Sequence, residues 1–548
     1  MRNRIDDSSG TQPIDLAFYY LTASMGLGQA LTISSIRSRL GRFNRSQVLA
    51  TLSAICSQAD RAENRELADR LRLANWLFAG PTATQIEGRL RADRHAYPMS
   101  AQTVVNLGLH AMDVCGDGAA DGSQEDVRHR LALLLLAFAD HAESGGRSRD
   151  EMAVEITRQV LFHSINDLST WLELSGRLYL DVMPRMTSDP DYVDVDQVIA
   201  DAHGMSFERF WALTALNGIA ACESDEVKRL PVRIEGWDVT DDEARSWLNA
   251  WSLAPADASA AARRDIATGS GWSFETYVDQ PLVRTDTVHG PAIAVRPAWL
   301  AAQATPHRMF WSVRHQFVAA GGSHGAWSQF FGRAAEQLGR DIIDEHIPPG
   351  TAVLTEHDVE TWGPGRNCDA VIIDDDVVAI DFVYHQLTKG SAGTGDFIDL
   401  ADDLRKTATD KLLQIDHTLW KGMTGGHVNP VVIYPLVVVG APFPINALVR
   451  ETVEQQLETH TPKVIGVDPR CQRPMIVDLA SFLMMMQSVS AHQMRVADVL
   501  RSWSESGLAD VPLGDWLVSD GPAARDASVS WHRRVFNAVG LRGPSTMS

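Results

Sequence analysis

The chain has 548 residues and a formal charge of −21, from 49 Lys and Arg against 70 Asp and Glu. It is too long for one ordinary core, so about two to four domains are expected. With 45% hydrophobic residues, 22% charged residues and 15 tryptophans it has the composition of a folded chain, and its acidity argues against a general nucleic-acid coat.

The opening residues, MRNRIDDSSG, lack the apolar run of a secretory signal, and a cytoplasmic location is expected. Leu131 to Ala139 is too short to cross a bilayer as a helix, and Val431 to Val449 is interrupted by Pro435, Pro442 and Pro444, so no membrane contact is expected. Cys56, Cys115, Cys222, Cys368 and Cys471 stand far apart with no Cys-x-x-Cys pair, which points to reduced thiols.

The first 100 residues hold 13 Arg and no Lys against 9 acids, a local balance of +4 that leaves −25 for the rest. Within them, Leu31 to Ile55 reads as two short helices around Gly41 to Asn44, with helix-turn-helix spacing. Arg37, Arg39, Arg42 and Arg45 then surround the turn, where a DNA reader needs phosphate contacts. A plain helical hairpin with solvated arginines fits the same spacing. From Gln12 to about Ala220, apolar residues recur at i, i+3 and i+4, which predicts a helical domain over 1–222. Residues 223–316 have a mixed texture of short strands and turns before a helix, read as a connecting subdomain.

Residues 317–548 carry the α/β signal and a helical tail. A helix, AWSQFFGRAAEQLGRDIIDEH, leads into the β-branched runs CDAVII and VVAIDFVY around Asp374, Asp375 and Asp376, a predicted hairpin. A helix over DFIDLADDLRKTATDKLLQIDHTL, a buried strand NPVVIYPLVVVG, a helix NALVRETVEQQLE, a short strand KVIGVD and a helix DLASFLMMMQ complete the plan. GPGRN, Gly363 to Asn367, precedes a strand and reads as a turn instead of a phosphate loop. The three adjacent methionines of SFLMMMQ read as core filler or a partner surface. No His-Glu-x-x-His motif occurs.

Asp369 opens the first strand of the hairpin and Asp381 lies deep in the second, where a lone carboxylate needs a partner, a proton or a cation. With Glu336 from the preceding helix, these acids could converge on a divalent ion, and oxygen ligands suit Mg²⁺ or Mn²⁺ better than Zn²⁺. The order helix with Gly332 and Glu336, strand with Asp369, turn, strand with Asp381, helix resembles the PD-(D/E)XK, or restriction-endonuclease-like, nuclease superfamily over roughly 150 residues.

With the helical N-terminal half, the resemblance makes the expected fold an α+β multidomain chain: helices first, then an α/β restriction-endonuclease-like domain with a mixed central sheet. The family's usual lysine, two residues after the second acid, is replaced by Val383. Lys411 is the preferred substitute, because it falls on the apolar stripe Leu404, Ala408, Ile415 of the next helix and is thereby directed at the sheet. Lys389 and Lys406 are weaker candidates. Gln414, one turn beyond Lys411, and His385, on the strand face of Asp381, are candidate substrate contacts.

The expected activity is metal-dependent phosphodiester hydrolysis of nucleic acid, DNA in the first instance, by a gated bacterial antiviral effector that acts as a homo-oligomer or with an activating partner. The competing expectation is a degenerate nuclease-like scaffold that binds nucleic acid or protein, in which Asp381 is simply paired with Lys411. Residues 321–420 carry 18 acids against 7 Lys and Arg. Binding of polyanions then needs help from metal, the arginine-bearing N-terminal region or a second subunit.

Overall fold

The structure is a computed structural model that describes residues 19–25, 30–62, 66–93, 95–118, 122–141, 148–163, 168–223, 229–232, 236–269, 271–287, 290–385, 387–388, 390–508, 510–522 and 530–540. The architecture is α+β with a helical N-terminal half. It divides into a unit of 1–145 with 224–227 and a unit of 146–223 with 228–548. The division falls at 145/146 and not at the texture changes near 222 and 316. The reason is that Trp171, Phe207 and Trp211 share one core with Trp247, Leu282, Phe330 and Phe382.

In the first unit, α1 (Ile33–Leu40), α2 (Arg45–Ala62), α3 (Ala101–Val114) and α4 (Gln124–Ala139) form the main helical packing. The side chains of Thr32, Ser100 and Ser123 accept amides of the first turns of α1, α3 and α4, so hydroxyl caps start these helices. The two-helix element expected at 31–55 is present, but a reading helix needs a free face for base edges. Every residue of α2 from Gln47 to Ser57 is buried. Arg37 pairs with Asp113 Oδ2 at 2.5 Å and Arg45 donates to the Cys115 carbonyl at 2.8 and 3.0 Å, while Arg39 and Arg42 are exposed. The segment is a helical hairpin, with two of its four arginines engaged inside its own unit.

The second unit is organised around a five-stranded mixed sheet of β1 (Ala352–Thr355), β2 (Ala370–Ile373), β3 (Val377–Val383), β4 (Ile433–Val439) and β5 (Met475–Asp478), in the order β5-β4-β3-β2-β1. β1, β2 and β3 run antiparallel in succession, and β3, β4 and β5 are parallel. Both faces are covered, as the unbroken apolar runs of β3 and β4 require. On one side lie α5 (His324–His346) and α9 (Leu479–His492). On the other lie α6 (Phe397–Leu404), α7 (Asp410–Thr424) and α8 (Ala447–Thr459). The acidic turn between β2 and β3 is held from α10 (Val496–Glu505) and its cap, with Arg501 donating to Asp376 Oδ2 at 2.7 Å and Arg495 within 3.7 Å of Asp374 and Asp375.

The residues 223–316 include a three-stranded sheet, Ser252–Leu253 with Leu282–Thr287 and Gly290–Ala294, among more helix than their texture suggests. The strand expected at KVIGVD is absent. The amides of Lys463, Val464 and Ile465 all donate to the Asp416 carboxylate, which takes the place of a ladder partner, and Met475–Asp478 supplies the edge strand instead. Met485 and Met486 are fully buried, so that part of the methionine run is core. Residues 363–367 form the expected turn, with positive φ at Gly363 and Gly365. All five cysteines are free thiols. Among the described residues, no helix is long and apolar enough to cross a membrane.

One close approach sets α5 against the sheet. A β-carbon on Gly339 would stand 2.4 Å from the Phe382 ring, which is itself wedged edge-on against Phe482. Gly339→Ala should therefore destabilise the chain by about 1–3 kcal/mol through overpacking. Calorimetry should show a lower Tm, partly restored by the added change Phe382→Leu; an unchanged Tm for Gly339→Ala would refute this packing.

Candidate active site

Strand register brings the acids together. The paired register ends with Ala370 opposite Ile380 and Thr355 opposite Ala370, which leaves Asp369 beside Asp381 and Glu356 beside Asp369 at the end of the ladder. The ladder ends irregularly there: the Asp369 amide donates to the Ile380 carbonyl at 3.0 Å, and the Glu356 amide to the Asp369 carbonyl at 3.2 Å. The Asp369 carboxylate then ends the β2–β3 ladder, accepting the Phe382 amide on Oδ2 at 2.7 Å. Three carboxylates, Asp381 in β3 and Glu356 and Asp369 just beyond the paired ends of β1 and β2, thus gather at one end of the sheet.

Asp381 is entirely buried, and its Oδ1 lies 2.6 Å from Lys411 Nζ on α7. That contact is an ion pair without hydrogen-bond geometry; neither carboxylate oxygen has a hydrogen-bond donor among the described residues, and the Asp369 carboxyl lies close enough to share a proton with Asp381. Burial, reinforced by the Asp369 charge, pushes the Asp381 carboxyl well above its ordinary value despite Lys411. Burial opposes the charge on Lys411, yet Asp381, Asp369 and Glu336 together hold it above its ordinary value. Glu336 reaches the same cluster from α5 and is pushed up to about 7 by burial, then by Asp369 and Glu356, against the pull of Arg340 and Lys411. Glu356 is raised by burial and by Asp369. The centre is open to solvent on one side, since the Lys411 side chain is 24% exposed and that of Glu336 33%.

α7 also fixes the approach to Asp369. Gln414 donates to the Asn367 carbonyl, Thr418 Oγ1 accepts the Cys368 amide at 2.9 Å, and Lys421 Nζ binds the Gly363 carbonyl at 2.9 Å and the Asn367 side chain. Gln414 is thus a brace for the loop, and not the free substrate contact expected from its position. The helix reaches this face through a π turn, Arg405–Thr409, between α6 and α7. The extra residue lets Leu400 and Leu404 before the turn, and Leu412, Ile415 and Leu419 after it, share one buried side.

His385 lies beyond the end of β3, with Nε2 3.5 Å from Asp403 Oδ1, while Asp403 Oδ2 accepts the Thr388 amide and the Ser391 hydroxyl at 2.6 Å each. Gly332 lies in α5 with open space where a β-carbon would be. Lys406 pairs with Asp402 at 2.6 Å on the helix surface, and Lys389 lies outside the described residues. The four N-terminal arginines belong to the first unit.

The chain matches no model of a known protein family, no curated protein and no solved structure.

Glu356 and Arg340 escape a reading of the sequence alone. Glu356 is the first residue of the short helix Glu356–Glu360 and is placed by register, which only the paired strands reveal. The local signal was the capping box of Thr355 and Asp358, which marks where β1 must stop. Arg340 falls one turn after Glu336 on an α5 face already rich in charge.

The raised Glu336 carboxyl has a consequence for stability. Between its ordinary value of 4.5 and about 7, the folded chain keeps a proton that the unfolded chain releases, so stability falls as pH rises through that window. Glu336→Gln removes this loss. Its Tm in EDTA should exceed the parent's by a few degrees at about pH 8, with the gap closing near about pH 4.5; parallel Tm curves across the range would refute the assignment.

Proposed function

We propose that the second unit is a divalent-metal-dependent nuclease that hydrolyses phosphodiester bonds, with DNA the first substrate to test. The observation that carries this reading is the juxtaposition of Asp369 and Asp381 on adjacent strands with the Lys411 ammonium 2.6 Å from Asp381. The order α5, three antiparallel strands, α6–α7 and a parallel β4 supports the resemblance to the PD-(D/E)XK superfamily. Lys411 supports the idea that the missing strand lysine is replaced from the following helix.

The residues present suit a hard divalent cation. Among the described residues no three His, Cys, Asp or Glu side chains already stand as a closed metal-holding group. Yet fully buried Asp381, whose oxygens have no hydrogen-bond donor, stands beside Asp369, Glu336 and Glu356 in an all-oxygen donor set whose raised carboxyls a bound cation would draw back to the charged form. Asp369, Asp381 and Glu336 would hold Mg²⁺ or Mn²⁺. Such an ion, when bound, polarises a phosphate and makes its water more acidic. Lys411 supplies a fixed positive charge for the phosphorane-like charge that develops during displacement. The Asp369 carboxylate stays oriented by the Phe382 amide, and the braced 363–368 segment keeps it there.

One observation favours the second reading, a degenerate scaffold. Asp381 is closed off and already paired, as a purely structural ion pair would be. The two readings separate in a plasmid and single-strand cleavage assay with Mg²⁺ or Mn²⁺. Asp369→Ala, Asp381→Ala and Lys411→Ala should each lower cleavage at least about 100-fold, in the range lost with an essential electrostatic group. Cleavage that survives all three changes would overturn the site; a parent inert with either metal would favour the scaffold.

A further inference from the structure

Two arginines two turns apart on α5 are treated very differently. Arg333 is saturated, with its guanidinium 2.6 Å from both oxygens of Asp189 and 2.7 Å from Asp191. Arg340 is paired loosely, 3.7 Å from Glu336 Oε2 with the Glu356 carboxylate also within its field, and its Nε is buried with no hydrogen-bond partner among the described residues. A guanidinium carries five N–H donors, and one paired so loosely at the edge of the cleft has donors to spare for an incoming acceptor. About a third of the Arg340 side chain is exposed, so an incoming group can reach it.

The acceptor's chemistry follows from the fork. A guanidinium presents parallel N–H donors that match two oxygens of a carboxylate or phosphate. Protein carboxylates already crowd this cleft, and Arg340 makes only a loose contact with the nearest. Lys411, by contrast, is held against Asp381 and is a poor candidate for a mobile anion contact. We infer that Arg340 is a substrate contact of this centre, its guanidinium binding a backbone phosphate of a nucleic acid. The inference rests on the nuclease reading and adds a second cation with a separate role. Lys411 faces the reacting group, and Arg340 holds the chain being cut.

The test uses the full-length chain and a short fluorescein-labelled DNA duplex, with binding followed by anisotropy in EDTA and in Ca²⁺, and Ca²⁺ binding followed by calorimetry. Arg340→Gln should weaken duplex binding at least about 10-fold and reduce the slope of log affinity against log salt by about 1. Arg340→Lys should recover part of the affinity. Arg245→Gln, which removes an exposed arginine of the same unit, should bind like the parent. Ca²⁺ affinity of Arg340→Gln should be unchanged or higher, because a competing positive charge has gone.

Equal duplex affinity for Arg340→Gln and the parent would overturn the inference. So would equal losses in Arg340→Gln and Arg245→Gln, or a parent that binds no duplex in either condition. A joint loss of Ca²⁺ and duplex binding in Arg340→Gln would also overturn it, assigning Arg340 to the support of Glu336. Duplex binding that depends on Arg340 in a chain that cleaves nothing would refute the nuclease reading and leave the phosphate contact standing.

Discussion

A carboxylate with no solvent exposure, in the middle strand of a five-stranded sheet, is the constraint around which the second unit is arranged. Asp381 could be replaced by an aliphatic residue with little harm to packing, since Ala379 and Val383 on β3 and the opposed Val437 on β4 are aliphatic. Keeping it charged requires a cation beside it, because removing one member of such a pair leaves a buried charge that costs about 3–5 kcal/mol. Lys411 meets that need only if α7 presents the right residue. The π turn before it solves a geometric conflict, in which two stretches of helix must both bury leucines against the sheet while one lysine between them points at an acid.

Much of this centre was legible from the chain because it violates the pattern around it. Asp369 and Asp381 interrupt β-branched runs, and Lys411 interrupts an apolar helical stripe; each is a departure whose energetic penalty can be recognised without a structure. Glu356 and Arg340 were not legible, since an acid after a strand and an arginine on a charged helix face are ordinary. The KVIGVD segment misled for a different reason. Its residues have strand composition, but composition does not reveal that a distant carboxylate, Asp416, would take its amides.

The N-terminal hairpin illustrates the limit of periodicity. Ala50, Ser53, Ala54 and Ser57 are small and only weakly apolar, so they do not register as a core face. Small side chains permit close helix approach, and here they are buried as thoroughly as Leu52 and Ile55. A helix with one hydrophobic stripe and a helix buried all round can therefore share the same spacing.

The acidity near the site also looks different once partners are assigned. Asp376 is matched by Arg501, Asp402 and Asp410 by Arg405, and Asp416 by three amides. Much of the local excess is thus absorbed into structure, and what faces the cleft is a smaller group around Asp369. That group is anchored by a helix that works as a ruler. Lys411 and Lys421 lie ten residues apart on α7, about 15 Å at 1.5 Å per residue, with one end at Asp381 and the other gripping the Gly363 turn. Both sides of the cleft are thereby referenced to a single rigid element. A change at its far end would be felt as a shift in the spacing of Asp369 and Lys411, and a lesion remote from the chemistry would present itself as one at the centre.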